Sequence, residues 1–144
     1  MSKNKLMNQY VADLAVMNVK FHNLHWNVVG ERFEPVHVYA EKLYDDLFAK
    51  YDEVAERLKM LGVYPLASLK SYLETTAVEE LENRDYQIPE TMAILKASLE
   101  SLRKLAVDIR TAADEEGDFV TVAMMEDHVG AYDKELWFIA SALK

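Results

Sequence analysis

Apolar residues recur every three or four positions along four long stretches of the chain, a period that predicts four long helices. Leu6, Tyr10, Leu14, Met17, Phe21, Leu24 and Val28 mark the first, read as about Lys5 to Val29. Val36, Ala40, Leu43, Leu47, Val54, Leu58 and Leu61 mark the second, from about Pro35 to Leu61. Pro35 suits a first turn and Gly62 suits a stop. The third begins at Pro89, and its stripe runs through Ile88, Met92, Leu95, Leu99, Leu102, Ala106, Ile109 and Ala113. Asp118 follows Gly117 and can cap a fourth helix that runs to about Leu143. Residues 63 to 88 form a long crossover, in which Ser68 to Glu74 reads as a short helix. The 144 residues suit one domain, 1–144, and the 3 prolines and 4 glycines suit an all-α chain.

The second helix carries a further stripe, about a quarter turn from the first: His37, Tyr44, Phe48, Tyr51 and Ala55. Three aromatics on a second face suggest a buried subunit contact, or else a broad core-facing surface within one chain. Chemistry gathers on the same segment. A break near residues 30 to 34 would fold the first two helices into an antiparallel hairpin, with His25 and His37 at similar height. Asp52 and Glu56 are four residues apart and share a helix face. His37 and Asp52 are separated by fifteen residues of one helix, roughly 22 Å, too far for one metal site. A second copy running antiparallel about a twofold axis would bring the histidines of one chain to the carboxylates of the other. Glu34-Pro35-Val36-His37 matches the Glu-x-x-His of di-iron bundles only once, and Glu34 precedes the proline, outside the helix or at its cap, where it reads as a capping or hydrogen-bonding residue rather than a ligand.

His25-Trp26, His37, Asp52, Ala55-Glu56-Arg57 and Leu61-Gly62 together resemble the signature of the Dps-like miniferritins, the "DNA-binding proteins from starved cells" and their relatives. Length and helix plan match as well. The resemblance implies a ferritin-like four-helix bundle with a short extra helix in the crossover between helices 2 and 3. It implies a hollow dodecamer with metal sites shared across its twofold interfaces. His25, His37, Asp52 and Glu56 would bind and oxidise Fe(II) to Fe(III), with hydrogen peroxide preferred over dioxygen. Glu41, one turn beyond His37, would support a second, weaker iron position or form a surface salt bridge. Trp26 is either a large core or interface aromatic or a nearby electron source. Acidic residues among Asp114, Glu115, Glu116 and Asp118 would line threefold pores.

Composition narrows the alternatives. With no cysteine, disulfides and thiolate metal sites are excluded. No signal peptide or membrane-length apolar run is visible, so a cytoplasmic location is expected. The net charge is −9, and twelve copies would carry about −108, which repels nucleic acid and attracts cations. Only Lys3 and Lys5 precede the first helix, and they read as a solvated terminus, so tight DNA binding is not expected. His22 reads as an exposed or hydrogen-bonded residue, His128 has no role, and Trp137 with Phe138 reads as packing. Two other readings remain: a nucleoid DNA-protecting protein, and a shell protein whose site holds Zn(II) or is inactive. Imidazole and carboxylate ligands accept zinc as well as iron.

Overall fold

The structure, a computed structural model, describes residues 2–144. Its elements are α1 (Lys3–Asn27), β1 (Val28–Val29), α2 (Phe33–Met60), α3 (Leu69–Thr75), β2 (Tyr86–Gln87), α4 (Ile88–Glu115) and α5 (Phe119–Ala142). Four long helices and a short one in the crossover match the all-α reading.

Several ends differ from the pattern, each for a local reason. Helix α1 starts two residues ahead of Lys5 because the Ser2 hydroxyl accepts the Lys5 backbone N–H at 3.3 Å. It stops at Asn27 because Val28 and Val29 pair in parallel with Tyr86 and Gln87. Helix α2 starts at Phe33, so Glu34 lies inside its first turn rather than ahead of it. There its charge meets the positive end of the helix dipole. Asp118 caps α5 as expected, accepting the Thr121 N–H at 3.2 Å.

Side-chain contacts fix the helix directions. Asn18 bonds Tyr44 and His25 bonds His37, so α1 and α2 are antiparallel. Tyr39 meets Glu135, Glu53 meets His128 and Arg57 meets Asp118, so α2 and α5 are antiparallel too. Arg103–Asp133 and Arg110–Glu126 pairs run α4 against α5. Helices α2 and α4 therefore point the same way, which is why a long crossover must join them.

Helix α1 is buried on more than one side because α2, α3 and α4 all pack on it. Its polar positions hold the crossover down. The buried Asp13 carboxylate accepts from the Thr76 hydroxyl at 2.6 Å and the Ala77 N–H at 2.9 Å. Asn8 accepts the Leu66 N–H at 2.9 Å. Unpaired backbone groups of an irregular segment thereby find partners next to the core.

Gly30 makes the α1–α2 turn. Its φ of +134° is strained for any side chain, and an added Cβ would lie 3.0 Å from Ile88 Cγ1. Gly30→Ala is expected to destabilise the fold by about 1–3 kcal/mol. A lower urea midpoint with an unchanged slope would show it.

Candidate metal centre

The Gly30 turn sets the last turn of α1 beside the first turns of α2, and two imidazoles meet there. The rings of His25 and His37 stack with centroids 3.7 Å apart and planes 12° from parallel. His25 Nδ1 donates to the His37 carbonyl at 2.6 Å, and His37 Nδ1 donates to the His25 carbonyl at 2.6 Å. A carbonyl can only accept, so each Nδ1 carries a proton, and in the neutral ring each Nε2 keeps its lone pair. Such bonds fix tautomer and ring orientation, as metal-binding histidines require. Phe33 stacks on His37 at 4.9 Å, and Tyr44 meets His25 edge-on at 5.4 Å. Glu41 brings Oε1 to 3.7 Å from His25 Nε2 and to 3.5 Å from the Tyr44 hydroxyl. It is an exposed carboxylate at the mouth of the pair.

The chain stops short of a complete site. Among the described residues no three histidine or carboxylate side chains converge on one point. Asp52 and Glu56 lie exposed on α2, fifteen and nineteen residues beyond His37. That is roughly 22–28 Å along the helix. The structure brings the two histidines together and leaves the two carboxylates apart from them. A twofold axis that set His37 opposite Asp52 and Glu56 would cross α2 between Tyr44 and Leu47. Phe48, beside that midpoint, is 61% exposed.

More apolar surface continues from Phe48. Its ring neighbours Tyr51, which bonds Tyr72 on α3. Leu69 and Leu73 of the same short helix and Val19 and Trp26 of α1 are all exposed. The second stripe of α2 is thus shared between contacts within the chain and an open face. Tyr51 and Tyr44 are covered by Tyr72 and His22, while Phe48 is not.

Other candidates fall into place. His22 donates to the Asn18 carbonyl at 2.7 Å and stacks on Tyr44 at 3.6 Å, a hydrogen-bonded supporting residue as expected. Trp26 is 67% exposed, which removes the core reading and leaves the other two. Trp137 and Phe138 do not pack into the core but sit on the surface at the end of α5. His128, given no role from its sequence context, is deeply buried and bonded on both ring nitrogens, to Tyr10 and Glu53. Its partners lie 118 and 75 positions away, so no local pattern could reveal them.

At the α4–α5 corner, Asp118 is the hub. It accepts from Lys3 at 2.8 Å, Arg57 at 2.7 Å and the Thr121 hydroxyl at 2.6 Å. Burial works to raise this carboxyl, but hydrogen bonds from Lys3, Thr121 and Arg57 outweigh it and hold it well below the ordinary range. Lys3 is therefore buried and paired, not solvated, and one of the two N-terminal cations is spent inside the fold. Asp114, Glu115 and Glu116 remain exposed around Gly117.

A ferritin-like domain family matches residues 4–144 of the chain. The DNA protection during starvation protein of Listeria innocua serovar 6a is 36% identical over 143 residues, spanning 96% of this chain and 90% of that protein. The chain belongs to the ferritin-like Dps family. The X-ray structure of Dps from Listeria monocytogenes superposes with a TM-score of 0.95 at 33% identity, covering 99% of this chain and 94% of that one. A Dps structure from Listeria innocua soaked with zinc gives 0.94 at 34% identity, covering 99% and 96%. The ferritin-like bundle with an added crossover helix is the Dps fold, and iron storage and protection are the general role of such proteins. No helix among the described residues is long and apolar enough to cross a membrane.

Proposed function

We propose that this Dps-family chain oxidises Fe(II) to Fe(III), with hydrogen peroxide as preferred oxidant, and stores the ferric product inside a shell of twelve subunits. The observation that carries this reading is the stacked His25–His37 pair. Each Nε2 is fixed in direction and Glu41 stands 3.7 Å from that of His25, yet among the described residues no third ligand converges with the two histidines to complete the set. Asp52 and Glu56 of a second copy complete it, and the exposed Phe48 at the implied twofold axis becomes buried. One chain then contributes half of each of two identical sites.

The donor set suits the chemistry. Neutral imidazole accepts Fe(II), and the two carboxylates favour the higher charge of Fe(III). Glu56 bridges if two irons bind, and Glu41 supports the second position. Two Fe(II) give one electron each to one peroxide. With two protons, the peroxide leaves as two waters, so iron and oxidant are consumed together. The exposed acids Asp114, Glu115 and Glu116 mark the entry path for Fe(II), while Asp118 is withdrawn into its ion pairs.

Zinc competes for the same donors. DNA binding is not part of this reading, because the chain carries −9 and the Lys3 ammonium is buried against Asp118. The test is direct. Anaerobic protein is given excess Fe(II), then stoichiometric peroxide, and ferric absorbance is followed before size exclusion. Rapid colour with iron eluting in a large shell is the expected result. Iron precipitating at the protein-free rate would contradict it.

A further inference from the structure

A second polar cluster lies in the bundle core, away from the histidine pair. The Tyr10 hydroxyl is 2.9 Å from His128 Nδ1 and 2.5 Å from the Tyr132 hydroxyl, and all three residues are buried. His128 Nε2 is 2.9 Å from Glu53 Oε1, at the half-exposed end of the cluster. The direction of every bond follows from chemistry. A carboxylate only accepts, so His128 Nε2 carries the proton and donates to Glu53. Nδ1 is then a bare acceptor, so Tyr10 must donate to it. Tyr132 must in turn donate to Tyr10. Burial pushes both phenols up and His128 down, so the phenols stay protonated and the imidazole stays neutral.

A phenol donating to a buried neutral imidazole can be oxidised without releasing a charged phenol, because its proton has somewhere to go. Among the 8 tyrosines Tyr10 has this partner. Tyr39 donates to Glu135, a carboxylate already paired with Lys42, and not to an imidazole. Glu53, at the other end of the cluster, is the neighbour of Asp52 in α2. The network therefore ends one residue from the carboxylate half of the proposed iron site.

We propose that Tyr10 is a redox-active tyrosine that supplies the second electron to peroxide when only one Fe(II) is bound. The inference rests on the ferroxidase reading above. Peroxide needs two electrons, and a single Fe(II) gives one, which leaves a hydroxyl radical. In the proposed step Fe(II), peroxide, the Tyr10 phenol and the neutral His128 imidazole give Fe(III), two hydroxides, a Tyr10 phenoxyl radical and the His128 imidazolium. The O–O bond breaks, iron and Tyr10 each lose one electron, and the phenolic proton moves to His128 Nδ1 as the radical forms. His128 then stands as imidazolium against the Glu53 carboxylate. The next Fe(II) returns an electron to the phenoxyl, and His128 returns the proton. Tyr10 is the electron donor, and His128 and Glu53 are positioning residues.

The experiment uses the assembled protein with Trp26→Phe, which removes a competing electron source. One Fe(II) per chain is loaded and peroxide is added. Samples are freeze-quenched for electron paramagnetic resonance, with ferric absorbance read in parallel. The expected result is a radical signal that narrows when ring-deuterated tyrosine is incorporated. Tyr10→Phe loses most of it, while Tyr132→Phe, which keeps the Tyr10–His128 bond, retains it. Circular dichroism confirms that the variants are folded. An undiminished signal in Tyr10→Phe, or no tyrosyl signal where absorbance shows iron oxidised, would overturn the inference and leave the ferroxidase reading standing. Iron oxidised only at the protein-free rate would overturn both.

Discussion

His37→Ala is expected to slow peroxide-dependent Fe(II) oxidation by at least about tenfold, a loss of at least ~1.4 kcal/mol in the barrier, and to leave the helices intact. The geometry separates these effects. His25 Nδ1 bonds the backbone carbonyl of residue 37, not its side chain, so His25 keeps its tautomer and direction in the variant. The His25 carbonyl loses its partner at a helix end, where water can replace it. What disappears is one Nε2 lone pair and the stack on His25. Asp52→Ala is expected to slow oxidation similarly with less structural cost still, because Asp52 is exposed. Circular dichroism together with single-turnover ferric absorbance checks both. Unchanged rates in both variants would remove these residues from the site.

Asp118→Ala should be the most damaging polar substitution for stability. It leaves the buried Lys3 with the exposed Glu116 carboxylate at 3.8 Å and takes from the largely covered Arg57 guanidinium its carboxylate at 2.7 Å, at about 3–5 kcal/mol for breaking a buried charge pair. It also removes the α5 cap, worth about 1 kcal/mol alone. A pH dependence follows. The folded carboxyl lies far below its unfolded value of about 3.9. Above that value both states are ionised and the stabilisation is complete. As the pH falls below about 4, the unfolded chain takes up a proton that the folded chain refuses, and the contribution drains away. The gap in urea midpoint between wild type and Asp118→Ala should be wide at pH 7 and narrow steadily below pH 4. A gap independent of pH would show that Asp118 acts through packing rather than charge.

These residues also show what a linear chain can reveal. The helices were legible because burial follows the 3.6-residue period: Val36, Ala40, Leu43, Leu47, Val54 and Leu58 all face the core. The separation of His37 from Asp52 is legible because helical rise is constant, and one metal site that used both residues would need a second chain. The tautomers of His25 and His37 were not, since they depend on carbonyls across a turn set by Gly30. Lys3 looked solvated because its partner Asp118 is 115 residues away. His128 looked idle for the same reason. Trp137 and Phe138 read as packing in the sequence because apolar character does not say whether a side chain faces the core or the surface.

A site built from two chains must show complementation between variants that each lack one half of it. His37→Ala and Asp52→Ala chains are co-expressed, purified together and assayed for peroxide-dependent Fe(II) oxidation. In a mixed dimer one site carries both substitutions and the other carries neither. With random pairing half the dimers are mixed, so about a quarter of wild-type activity should return although each variant alone has little. If the co-expressed protein forms mixed shells and recovers nothing above the two variants alone, histidines and carboxylates do not meet across the interface.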